Sequence, residues 1–144
     1  MDVASTTVRL ILRPLHGIIL AFPISLFSAA LATDIAYLRT AEIQWTNFSA
    51  WLIVGALVFG GLALAWALVA LFLGRGQPGE KARLAHLGAV ALMWLLGLVN
   101  AFKHSQDAWS SVGAFGLTLS ILCAVLALAA GVIAYSRPAP GEAR

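Results

Sequence analysis

Four long apolar stretches, separated only by short polar breaks, account for nearly all of this 144-residue chain. Residues 15–38, 48–73, 84–102 and 112–135 each supply the roughly 20 apolar residues that a helix needs to cross a bilayer. Hydrophobic residues make up 61% of the chain and charged residues 10%, whereas a soluble domain carries about 25% charged residues. The expected fold is an all-α integral membrane protein in which residues 1–144 form one membrane domain. So little chain lies outside the four spans that any chemistry must sit between the helices or at their ends.

The basic residues flank the apolar runs instead of forming a patch, so the net charge of +3 and pI near 9.6 point to topology and anionic headgroups, not nucleic acid. Arg9, Arg13, Arg75, Lys81, Arg83, Arg137 and Arg144 fall on one side of the alternating spans, and Arg39 and Lys103 on the other. That bias predicts cytoplasmic N- and C-termini, in a bacterium at the inner membrane. The first run resembles a secretory signal, with Ala30-Leu31-Ala32 as a small-residue site, but it is longer than a typical signal core. It is read as an uncleaved helix. The single cysteine, Cys123, lies inside the fourth run, which excludes an intrachain disulfide and covalent c-type haem attachment.

Short connections force consecutive helices to run antiparallel, as an up-down-up-down four-helix bundle. Gly74-Arg75-Gly76-Gln77-Pro78-Gly79 makes the second turn. Tyr37, Trp45, Trp51, Trp109 and Tyr135 fall near the interfaces, and Trp66 and Trp94 read as packing. Pro23 is expected to kink the first helix. Small residues at Gly17, Ala21, Ser25 and Ala29, and at Gly61 and Ala65, suggest closely packed faces. The tail from 136 to 144 is expected to be disordered.

Polar groups at membrane depth are costly and therefore informative. His16 lies three residues after Arg13, and His86 three residues after Arg83, each at the same end of parallel helices. The two imidazoles should share one depth. His16 and Asp34 are eighteen residues apart, as are His86 and His104, and eighteen residues make five turns and about 27 Å of rise. Each pair thus shares a helix face, with Met93, Gly97 and Asn100 on the His86 side. A bis-histidine b-type haem between His16 and His86 fits this pattern, with Gly17 and Ala89 leaving room and Arg13, Lys81 or Arg83 pairing the propionates. The competing reading is of two interfacial histidines bonded to headgroups, water or loop carbonyls. Asp34, Asn100 and His104 form a second polar cluster, suited to a proton or ligand or serving as hydrogen-bonded helix ends. No nucleotide loop, His-Glu-x-x-His or nucleophile constellation occurs, and no catalytic residue is expected.

Arg13-Pro14-Leu15-His16-Gly17-Ile18-Ile19-Leu20-Ala21-Phe22-Pro23-Ile24 resembles the HPLHPxLVxFPI opening of a bacterial family of predicted membrane proteins, a domain of unknown function numbered two-two-three-one. Asp34-Ile35-Ala36-Tyr37-Leu38 is similar to the family's DLLYL-like helix end, and Ala85-His86-Leu87-Gly88 with Val99-Asn100 to its GHALLN…VN helix. The resemblance covers roughly residues 12–136. Arg13 and Gly17 replace a family histidine and proline, and Gly131-Val132-Ile133-Ala134-Tyr135-Ser136-Arg137 lacks the histidine of the family's GGxLVYRHG-like ending. The resemblance implies a redox role beside electron carriers such as Rieske or c-type cytochrome domains.

The function expected from the sequence is that of a small haem-b electron-transfer component, exchanging electrons with a partner dehydrogenase or cytochrome and not acting as a stand-alone enzyme. The alternatives are a cofactor-free anchor or assembly subunit of a larger complex, and a proton or small-solute transporter built on Asp34, Asn100 and His104 that would require an oligomer.

Overall fold

The computed structural model describes residues 3–106 and 112–136, and the side chains from Leu12 onward save that of Arg13. Four helices follow one another: α1 (Val3–Thr40), α2 (Ile43–Leu73), α3 (Glu80–His104) and α4 (Ala114–Tyr135). Each is long and apolar enough to cross a membrane, and together they form a four-helix membrane bundle. Each helix packs against two others in the cyclic order α1, α2, α3, α4, so α1 and α3 face each other across the diagonal. Trp109 and the residues from 137 on lie outside the described residues.

Three helices begin or end beyond their apolar runs, because helical hydrogen bonding continues past the hydrocarbon layer wherever no residue stops it. α1 starts at Val3 rather than near residue 15 and passes through both Pro14 and Pro23 as continuous helix. α2 starts at Ile43, after a link of only two residues. In that link Ala41 takes the left-handed conformation at φ 57° and donates its N–H to Tyr37 O at 2.8 Å. α3 starts at Glu80, where Gly79 at φ 84° turns the chain and Glu80 Oε2 accepts the Gly76 N–H at 2.7 Å. Arg83 then gathers the turn, donating to Gly74 O, to Gln77 O at 3.0 Å and to Pro78 O at 3.1 Å.

The core is a column of interlocking large and small residues. α1 presents Leu20, Pro23, Phe27 and Ala30 inward, α2 Ile53, Ala56, Gly60 and Ala63, α3 Val90, Met93 and Gly97, and α4 Cys123, Ala127 and Ala130. Phe27 crosses the axis to α3, and only a glycine fits opposite it. A Cβ on Gly97 would lie 2.8 Å from Phe27 Cζ and 3.0 Å from Leu57 Cδ2. Trp94 does more than pack, since its Nε1 donates to Leu57 O at 3.0 Å, an approach made possible by the bare backbone of Gly60 and Gly61.

The small-residue ridges expected from four-residue spacing are not the packed faces. Ala21 and Ser25 are exposed and, with Phe22 and Leu26, line an open groove of about 360 Å³. On α2 the buried small residues are Ala56, Gly60, Ala63 and Ala67, while Ala65 is exposed. The reason is that the inward face of α1 is set by Leu20 and Phe27, which fill the axis, and by Asp34, which must find partners there.

Candidate functional site

The bundle buries polar groups in two layers separated by the apolar column. The first lies at the end where α1 carries His16 and α3 carries His86. These helices are diagonal partners, so both imidazoles point at the axis, and their ring centroids are 5.5 Å apart with planes at 70°. Trp66 of α2 closes the other side of His16, also at 5.5 Å. His86 is 4% exposed, and the Nε2 atoms of both histidines are shut off from solvent.

The tautomer of His86 follows from its neighbour. Its Nδ1 lies 3.1 Å from the carbonyl oxygen of Ala130, and a carbonyl can only accept. Nδ1 therefore carries the hydrogen, and in the neutral ring Nε2 carries the lone pair. This is the arrangement in which a backbone carbonyl orients a metal-binding imidazole. Ala67 of α2 and Ala127, Ala130 and Gly131 of α4 are buried, and Tyr135 donates its hydroxyl to Gly17 O at 3.0 Å, tying α4 to α1 beside His16.

Among the described residues no three His, Cys, Asp or Glu side chains gather as a metal cage. An ion such as zinc, which takes three or four protein ligands, is not provided for there. A haem iron asks the protein for axial ligands only, and two diagonal imidazoles with shielded Nε2 atoms are a donor set of that kind. The rings are in edge contact, with Trp66 against His16 and Tyr135 against Gly17, so seating a flat macrocycle would require the α1 and α3 ends to draw apart. Of the two arginines expected at the propionates, Arg83 directs Nη1 and Nη2 to carbonyls of the 74–79 turn, and the side chain of Arg13 lies outside the described residues.

The second layer lies at the far end and draws on all four helices. Asp34 is fully buried. Its Oδ1 accepts from the Ser49 hydroxyl of α2 and lies 3.0 Å from His104 Nε2 of α3, and its Oδ2 accepts from the Ser120 hydroxyl of α4 at 2.5 Å. Asn100 donates Nδ2 to Ser120 Oγ at 3.0 Å, and Thr33 and Ser49 share a hydroxyl contact of 2.7 Å. The structure thus brings Asp34, Asn100 and His104 together and adds Ser49 and Ser120, which sequence reasoning missed. Both serines fall on the three- and four-residue spacing of their helices' buried small residues, between Thr46 and Ile53 on α2 and between Gly116 and Cys123 on α4. That phase was the available signal.

The model of one family, described as predicted membrane protein (DUF2231), matches residues 12–133. The match spans both polar layers and all four helices, and the chain belongs to this family. Comparison with curated proteins gives no match, and comparison with solved structures gives none.

Proposed function

We propose that this member of the family is a b-type haem electron-transfer component of a bacterial inner membrane, with both termini cytoplasmic and with a redox protein as its partner. The observation that carries the reading is the His16–His86 layer: two imidazoles from diagonal helices, 5.5 Å apart, one of them oriented by a backbone carbonyl so that its Nε2 holds the lone pair. When bound, the haem supplies a one-electron couple at the cytoplasmic end of the bundle. The protein's own residues do the rest. Ala130 O holds the His86 ring in its ligand tautomer, Trp66 covers His16, and the apolar column from Leu20 to Phe27 keeps water from the shielded side. Arg13 or Lys81 would pair with the propionates, since Arg83 already donates to its own loop.

The test is the absorption spectrum of the purified protein and two variants. His86→Ala and His16→Ala each abolish the Soret band while the protein remains folded in the membrane. A folded His86→Ala protein with an unchanged haem spectrum refutes the assignment. The direct ring contact of His16 with His86 and Trp66 favours a second reading, a cofactor-free subunit of a larger complex. It predicts a colourless protein that co-purifies with a partner.

A further inference from the structure

The far polar layer is a different site from the histidine pair, and its hydrogen atoms can be counted. His104 has an acceptor at each ring nitrogen. Nδ1 lies 3.0 Å from Asn100 O, and Nε2 lies 3.0 Å from Asp34 Oδ1. A neutral imidazole has one N–H, and a carbonyl cannot donate. Nδ1 must therefore carry a hydrogen toward Asn100 O, and a second hydrogen must lie between Nε2 and Oδ1. That second proton sits on His104 as an imidazolium beside a carboxylate, or on Asp34 as a carboxylic acid beside a neutral ring. Either way the pair holds one proton more than a carboxylate and a neutral imidazole, and carries no net charge. That neutrality suits a pair buried at 0% and 6% exposure.

Among the described residues, the groups that touch the pair are neutral. Ser49 faces the pair from α2 and Ser120 from α4, Tyr37 is buried one turn further along α1, and the charge of Lys103 is directed to Gln106 at 2.9 Å. Ser120 has a single hydroxyl hydrogen, and it goes to Asp34. Asn100 must then turn its Nδ2 toward Ser120, which leaves its Oδ1 as a buried acceptor that takes no hydrogen bond among the described residues. An acceptor in that position suits a water or hydronium arriving at the pair.

We infer that Asp34 and His104 form a proton-binding site that loads and unloads one proton at the end of the bundle opposite His16 and His86. Loading forms one bond to hydrogen, at Asp34 Oδ1 or His104 Nε2, and breaks one O–H bond of a hydronium ion, leaving water; no electron moves. Unloading sets a lone pair against an acceptor at one of the two ring nitrogens. One of the two contacts must then break, which frees the ring either from its own helix at Asn100 O or from its tie to α1 at Asp34. The site does not depend on haem.

The experiment follows the wild-type protein in lipid nanodiscs by nitrogen-15 histidine NMR and by carboxyl infrared difference spectroscopy, from mildly acidic to mildly alkaline pH. The expected result is one step of one proton, in which the His104 ring and the Asp34 carboxyl signals change together. Asp34→Asn and His104→Gln should each abolish the whole step. A pair that stays in one protonation state over the full range in which the helices remain folded overturns the proposal. So does an Asp34 carboxyl signal that titrates unchanged in His104→Gln. If either variant fails to fold, the wild-type spectra alone decide.

Discussion

Replacing Asp34 by alanine removes the acceptor on which three helices converge, and the partners differ in what they can do next. Ser49 falls back on Ala30 O, already 3.0 Å away. Ser120 regains an acceptor if the Asn100 amide turns over and presents Oδ1. His104 Nε2 has no substitute in the contacts it makes here. Breaking one side of a buried pair costs about 3–5 kcal/mol in soluble proteins. Polar contacts within membranes average only about 0.6 kcal/mol, because the unfolded state in lipid also finds partners. With two of three donors rescued, Asp34→Ala should cost about 2–4 kcal/mol, and its coupling to His104→Ala should be about 1–2 kcal/mol. Reversible unfolding in mixed micelles, run as a double-mutant cycle, measures both. Single costs that add to within about 0.5 kcal/mol mean the two residues are independent, and the hydrogen-bond reasoning at this layer is then wrong.

Three further substitutions probe the frame. Gly97→Ala places a Cβ 2.8 Å from Phe27 Cζ, so overpacking should destabilise the bundle by about 1–3 kcal/mol in the same unfolding assay. Ala41→Gly relieves the left-handed backbone at φ 57°, a conformation costing an L-residue roughly 1–2 kcal/mol, and should raise stability by about 0.5–1 kcal/mol after the entropy of glycine is subtracted. Arg83→Lys replaces a planar fork that spans three carbonyls with a point charge. Limited proteolysis should then cut the 74–79 turn faster while helix content stays constant.

The spans were legible because an apolar run of bilayer length has few alternatives. The helix ends were not, because Ile43, Gln44 and Glu80 to Arg83 are polar or mixed and their helical state is set by turn geometry at Ala41 and Gly79. Phase arithmetic placed His86, Met93, Gly97, Asn100 and His104 on one face, and all five are buried. It also put His16 and Asp34 on one face of α1, where Leu20 and Phe27 are buried as well, but the separate small-residue stripe failed at Ala21 and Ser25, which are exposed. Burial favours the large residues there because the diagonal gap to α3 has to be filled. Ser49 and Ser120 escaped notice because a hydroxyl in an apolar run usually bonds its own helix, as Ser28 does to Ile24 O at 2.7 Å.

The central claim is that His16 and His86 share a haem. The most direct measurement is a reduced-minus-oxidised spectrum of the purified wild-type protein, made in a host with ample haem and paired with a pyridine haemochrome assay. The account predicts a sharp α-band and one haem b per chain. A well-folded, colourless protein from that host contradicts it.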